Sequence, residues 1–193
     1  MPVPCPNADG SSDKRQHFDE PLPMCVNPIK RYTAELVTNI GAMTIALDAA
    51  GAPRTVNNFV VLARYHYYDG TSMFRTDTSI DIIQGGSPHT QDASDPGPGY
   101  TIKDEGSGFK YTLGDLTMAR TSQPNSASAQ YFFCAGPQCS NLNSQGTYVT
   151  FGHTTSGQAV LEKILALNVN TSGGLGGAPS HLVLVKTVNI TES

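Results

Sequence analysis

Short apolar bursts, each closed off by glycine, proline, asparagine or aspartate, restrict this chain's fold more than any other feature. Such punctuation belongs to strands and turns. Tyr32 to Asn39 alternates apolar with polar, and Met43 to Leu47 does so again after Asn39-Ile40-Gly41-Ala42, which predicts a hairpin. Ile80 to Ile83, interrupted by Asp81, reads as a short half-buried strand. Gly85-Gly86 and then Pro88 end it. Strands are also expected over Tyr100 to Asp104, Asp115 to Ala119, Tyr131 to Ala135 and Thr147 to Phe151. A last one, His181 to Ile190, is free of proline and glycine and suits pairing with the first. Two stretches carry a helical period. Pro53 to Arg64 has proline near its start and Val56, Phe59, Val60 and Ala63 on one face. Ser156 to Leu167 places Val160, Ile164 and Leu167 on one face. Charged residues make up only 15% of the chain, which fits a turn-rich, mainly β architecture over a helical bundle. The pattern predicts a β-barrel with a helix at each end.

A chain of 193 residues is one domain's worth, with room for an arm. Residues 1–30 are polar, proline-punctuated and aperiodic, so they read as an extended N-terminal arm packed on a domain spanning 31–193. Four cysteines allow two disulfides in three connectivities, or free thiols in a reducing compartment. Cys5 and Cys25 bracket the arm, and closing a loop of that size contributes roughly 3 kcal/mol. Cys134 and Cys139 flank the turn-like spacer Ala-Gly-Pro-Gln, which suits a second pair. The formal charge of −4 argues against a nucleic-acid partner, which calls for a basic face. No apolar run approaches the roughly 18 residues of a membrane span, and Met1-Pro2-Val3-Pro4 shows no signal-peptide pattern. No CxxC occurs, and His17, His66, His89, His153 and His181 are scattered, so no metal site is expected. Gly173 to Gly177 lacks the strand-to-helix setting of a phosphate loop and reads as a flexible link.

Two segments carry chemistry. Thr71 to Pro88, TSMFRTDTSIDIIQGGSP, sets Arg75 ahead of an apolar run, a glutamine and two glycines; Met118 to Phe133 reads MARTSQPNSASAQYFF. In order and spacing, and together with TVNNFVVLAR, YDGT, PGYTIKDE and TFG, they resemble the cyclophilins, a family of peptidyl-prolyl cis-trans isomerases. The resemblance covers about Tyr32 to Ile190. It implies a closed eight-stranded antiparallel β-barrel capped by two α-helices, with peptide bound on the outer surface. The arm and YTIKDE look most like exported actinobacterial members, which implies an extracytoplasmic location. The resemblance also implies a monomer acting on proline-containing peptides or unfolded proteins, with no cofactor.

The family's catalytic arginine falls on Arg75, and Gln84 matches the glutamine beside it. Phe132, Ile82 and Leu142 match the proline pocket, and Gln130 the second segment's glutamine. The pocket histidine falls on Tyr148. The asparagine whose backbone carbonyl receives the substrate amide falls on Arg120, which adds a second positive charge beside the groove. Eight residues separate Arg75 from Gln84, where the family usually has seven. The pocket's large aromatic therefore falls on Asp81. A carboxylate packed against a proline ring carries a large desolvation cost, so either Asp81 turns outward and Ile80 fills in, or the pocket is weakened. The chain has no tryptophan, which implies weak or no cyclosporin binding. Two functions follow: an isomerase carried by Arg75, or a proline-peptide binding, chaperone-like module with little turnover. A salt bridge between Asp81 and Arg75 would favour the second.

Overall fold

The computed structural model describes residues 3–172 and 175–193; Gly173 and Gly174 of the glycine-rich link, and Met1 and Pro2 of the arm, lie outside them. Ten strands form one antiparallel sheet: β1 Tyr32–Thr38, β2 Ala42–Leu47, β3 Arg75–Asp77, β4 Ile82–Gly85, β5 Asp115–Met118, β6 Tyr131–Cys134, β7 Thr150–Ser156, β8 Asn168–Asn170, β9 Gly177–Pro179 and β10 Val185–Glu192. Two α-helices accompany them, α1 Pro53–Arg64 and α2 Gln158–Leu165, with a 3₁₀ helix over Pro137–Ser144. The sheet order is β10-β1-β2-β7-β5-β6-β4-β3-β9-β8. The expected hairpin is β1–β2, in register from Tyr32 opposite Leu47 to Val37 opposite Ala42. The last strand pairs with the first along seven positions.

The mainly β fold with two α-helices is the expected one; it differs from the expectation in strand count, and the sheet is not closed by a continuous ladder among the described residues. There are ten strands, and no ladder joins β10 to β8 among the described residues. Backbone bonds from Gly70 and Met73 to Val185 and Val183, and from Val185 to Thr71, link the segment leading into β3 with the one leading into β10. Four strand expectations also shift; the last strand, expected over His181–Ile190, runs Val185–Glu192. Tyr100–Asp104 makes only a single bridge, Ile102 opposite Ala127. The strand expected over Thr147–Phe151 runs Thr150–Ser156. The strand expected from Ile80 begins at Ile82, because Asp81 takes φ 46°, in the left-handed region that breaks a pleat.

Helix α1 is buried along almost its whole length, from Thr55 to Arg64. Its Phe59 ring stacks on Tyr68 at 5.1 Å and packs against Phe151 at 5.3 Å and Tyr131 at 6.1 Å. Each ring of that size contributes about 1.5–3 kcal/mol by leaving water. No local side chain caps α1. Glu105 does so from across the fold, its carboxylate accepting from the Arg54 N–H at 3.0 Å and the Thr55 N–H at 2.7 Å. That bond pins the Tyr100–Glu105 segment over the helix N-terminus.

The arm lies on the domain. Cys5 and Cys25 are bridged, as are Cys134 and Cys139. Phe18 is fully buried against Tyr65 and Tyr100. The buried Asn57 side chain of α1 accepts from the Cys25 and Val26 N–H groups at 2.7 and 3.0 Å and donates to the Pro23 carbonyl at 2.9 Å.

Candidate active site

Arg75 opens β3, pairs in register with Gln84 of β4, and meets it side chain to side chain: an Nη1–H donates to Gln84 Oε1 at 2.9 Å. The Gln84 amide in turn donates to Gln130 Oε1 at 2.8 Å. Strand alternation puts Asp77 on the same face as Arg75, and an Nη2–H reaches its carboxylate at 3.0 Å. The Nε–H donates to the carbonyl of Leu175. A guanidinium carries five N–H donors; three are engaged, leaving one on each Nη. The group is therefore held in one orientation while keeping donors free.

Asp77 is itself held. Although burial works against its charged form, the Ser79 hydroxyl and N–H and the Arg75 guanidinium keep its carboxyl below the usual 3.8. Neither Asp77 nor the Leu175 carbonyl was anticipated. Asp77 carried a signal, its place two residues along the strand from Arg75; Leu175, in a glycine-rich link, carried none.

Beside Arg75 lies a notch of ≈ 270 Å³. Ile82 and Phe132 (each 3% exposed) and Leu142 form a small apolar cluster with Tyr111, distinct from the main core. Ile80, Ala119, Gln145 and Tyr148 complete the wall. Tyr148 stands edge-on to Phe132, ring centroids 5.5 Å apart and planes at 86°. Its backbone is fixed by Tyr111, whose hydroxyl accepts from the Tyr148 N–H at 2.9 Å and donates to its carbonyl at 3.0 Å. Leu142 comes from the 3₁₀ helix, which the 134–139 disulfide ties to β6.

Asp81 is not in the notch, which corrects its placement as a substrate-contacting residue. Its left-handed backbone turns the side chain toward the 3₁₀ helix, where Oδ2 accepts from the Gln138 N–H at 2.8 Å. Ile80 takes the vacated wall position. The eighth residue between Arg75 and Gln84 is thus absorbed at Asp81, and the salt bridge on Arg75 is made by Asp77 instead.

Arg120 borders the notch and a neighbouring polar cavity of ≈ 420 Å³, which Gln84 and Gln130 also line. Neither Gln84 nor Gln130 lines the notch itself; Gln130 is linked to it through Gln84 and Arg75. The added charge of Arg120 is largely spent, since its guanidinium donates to the Gln123 carbonyl at 2.7 Å and lies 3.5 Å from Asp104. Among the described residues no donor reaches the Arg120 backbone carbonyl. No group of three or more side chains suited to hold a metal ion occurs among them. No helix is long and apolar enough to cross a membrane.

An arginine held beside an apolar notch on an antiparallel sheet presents free hydrogen-bond donors next to a hydrophobic recess. The comparisons agree: the family described as cyclophilin type peptidyl-prolyl cis-trans isomerase matches residues 33–190, and the chain belongs to it. Peptidyl-prolyl cis-trans isomerase cyp18 of Streptomyces antibioticus is 33% identical over 166 residues, 82% of this chain and 98% of the relative. Peptidyl-prolyl cis-trans isomerase B of Escherichia coli is 32% identical over 164 residues, 80% and 97%. Among solved structures, a cyclophilin type peptidyl-prolyl cis-trans isomerase of Cryptosporidium parvum superposes with TM-score 0.69 at 24% identity, covering 84% of this chain and 99% of that one.

Proposed function

We propose that this chain catalyses cis-trans isomerisation of X–Pro bonds, with Arg75 as the catalytic group and Gln84 holding it. The observation that carries the reading is the Arg75–Gln84 hydrogen bond set beside the notch of Phe132, Ile82 and Leu142. Rotation about the prolyl bond must break amide resonance, a barrier of about 18–20 kcal/mol. At the twisted transition state the proline nitrogen is pyramidal and its lone pair is free. A guanidinium N–H donates to that lone pair, which the planar ground state does not offer, so Arg75 binds the transition state more tightly than the substrate. Arginine suits the task because it stays protonated and holds its donors in a rigid fork. Phe132, Ile82, Leu142 and Tyr148 grip the ring, Gln130 positions Gln84, and the free carbonyl of Arg120 accepts a backbone N–H of the peptide.

The Cryptosporidium enzyme has also been solved in the presence of the dipeptide Ala-Pro, at 25% identity and TM-score 0.68. An Ala-Pro peptide is accordingly the test substrate. Exchange NMR on it, with a proline-limited refolding assay, should show accelerated interconversion; exchange unchanged by excess protein would refute the isomerase reading. The Asp77 salt bridge favours a second reading, a binding module in which Asp77 holds the guanidinium away from the prolyl nitrogen. Unaccelerated exchange together with saturable peptide binding would establish it. Client proteins, a monomeric state and weak cyclosporin binding belong to the proposal. Two disulfides support an oxidising, extracytoplasmic compartment.

A further inference from the structure

A third cavity, ≈ 330 Å³, lies where the N-terminal arm crosses the foot of α1, outside the span matched by the family on its arm side. Leu22 and Met24 of the arm and Ile102 line it with apolar surface, and Met24 is 54% exposed. Arg54 and Lys103 stand among its lining residues. Among the described residues no carboxylate lies within ion-pair distance of either cation. Glu105 is committed to the α1 N-terminus and Asp104 to Arg120 and Asn125, while Glu20, next to lining residue Pro21, is exposed and makes no ion pair with either cation. In a chain of net charge −4, a pocket with two unpaired cations runs against the overall sign.

The wall is built rather than incidental. Three hydrogen bonds from the buried Asn57 fix residues 23–26, and the Cys5–Cys25 bridge ties that stretch to the start of the arm. The cavity adjoins the polar cavity, which in turn adjoins the notch. The proline notch and the polar cavity share Arg75, Ala119 and Arg120, and the polar cavity and the arm cavity share Thr101.

We propose that the arm cavity is a further substrate subsite, which receives a flanking segment of the same polypeptide whose prolyl bond lies at Arg75. Its occupant is an extended stretch carrying an apolar side chain next to an acidic one. The apolar side chain seats on Leu22, Met24 and Ile102, and the carboxylate meets Arg54 and Lys103. This assignment rests on the isomerase or binding reading of the neighbouring notch.

The test compares a short Ala-Pro peptide with a series in which a Leu-Glu pair is moved stepwise away from the proline on either side. Affinity is read by calorimetry, and site by the methyl resonances of Leu22, Met24 and Ile102. At one spacing the extended peptide should bind on the order of tenfold more tightly and shift those methyls, and replacing its Glu by Lys should abolish the gain. Arg54→Glu combined with Lys103→Glu should remove the gain while leaving the short peptide's affinity and exchange rate unchanged. A Cys5→Ser, Cys25→Ser variant should lose the same gain, since the arm wall is no longer tied. Equal affinity at every spacing, unmoved methyls, or a gain that survives the charge reversal would overturn the proposal. Failure to accelerate exchange on the short peptide removes only the isomerase reading, because the methyl shifts still decide the subsite.

Discussion

Substitution of Asp81 tests whether the residue that departs from the family pattern serves the 3₁₀ helix or the catalytic arginine. Its carboxylate accepts the Gln138 N–H near the start of that helix, and its own φ is 46°. Losing such a cap costs about 0.5–2 kcal/mol. Holding an ordinary L-residue in the left-handed region costs about 1–2 kcal/mol, which Asp and Asn tolerate better than most. Asp81→Asn keeps both an acceptor and the tolerance and should lie within about 0.5 kcal/mol of wild type. Asp81→Gly loses the cap while easing the backbone, for a net cost near 1 kcal/mol. Asp81→Ala suffers both and should cost about 2–3 kcal/mol. Urea unfolding with the disulfides intact measures the order. Because the helix carries Leu142 into the notch, Asp81→Ala should also raise KM for a proline peptide with kcat nearly unchanged. The reasoning fails if Asn is as costly as Ala, since the carboxylate charge would then matter more than the bond. It fails equally if Ala lowers kcat alone, which would mean that Asp81 acts on Arg75 after all.

Arg75→Ala should lower kcat/KM by roughly 10²–10³, about 2.7–4 kcal/mol, the loss seen when one transition-state donor is removed; wild-type turnover in a proline-limited refolding assay would contradict its role. No histidine lines the notch or the polar cavity, so kcat/KM should be nearly flat from about pH 6 to 8, and a steep profile there would point to a different site. His66 faces two acceptors, Asp69 Oδ2 at 2.8 Å from Nδ1 and the Gly10 carbonyl at 2.9 Å from Nε2, so both ring nitrogens are asked to donate. The Asp69 hydrogen bond, opposed by partial burial and aided by Gly10, raises its pKa above 6.5. A raised value gives stability that is complete below 6.5 and lost as pH rises through the folded value. Amide protection around Gly10 should accordingly fall as pH climbs above neutrality, and His66→Gln should flatten that dependence.

What could be read from the sequence divides along physical lines. The β1–β2 hairpin and α1 were legible because each carries its own period, and α1 also starts on a proline that suits a helix's first turn. The notch residues were legible through the family resemblance alone. Nothing in the spacing of Ile82, Phe132, Leu142 and Tyr148 requires them to meet, yet the β4–β6 ladder and the 3₁₀ helix bring them together. Strands β8 and β9, three residues each, escaped notice because they exist only by pairing with each other and with β3. Tyr100–Asp104 misled in the opposite direction: its alternation is spent on seating Tyr100 and Ile102 against the core while Glu105 caps α1, and one bridge replaces a ladder.

Two departures from the family pattern around the notch, the extra residue after Arg75 and the acid at Asp81, prove to be one construction. An extra residue between Arg75 and Gln84 has to go somewhere, and strand pairing from Ile82 onward prevents it from being spread along β4. It is taken up as a left-handed residue at Asp81, just before the strand, a conformation that aspartate tolerates because its short polar side chain finds a local partner. The partner is the Gln138 N–H, in the segment between Phe133 and Phe151. The Asp81 carbonyl accepts from the Ala135 N–H as well, so the residue is bound to both ends of that turn. A methyl group at Gly136 would push the Asp81 carboxylate out of its place. Cys134 and Cys139 then close the same turn covalently and leave Leu142 pointing into the notch. An acidic residue that the family resemblance sets at the pocket's aromatic position thus turns outward and helps shape the pocket's wall, and Arg75 is left to the neighbours it can use, Gln84 and Asp77.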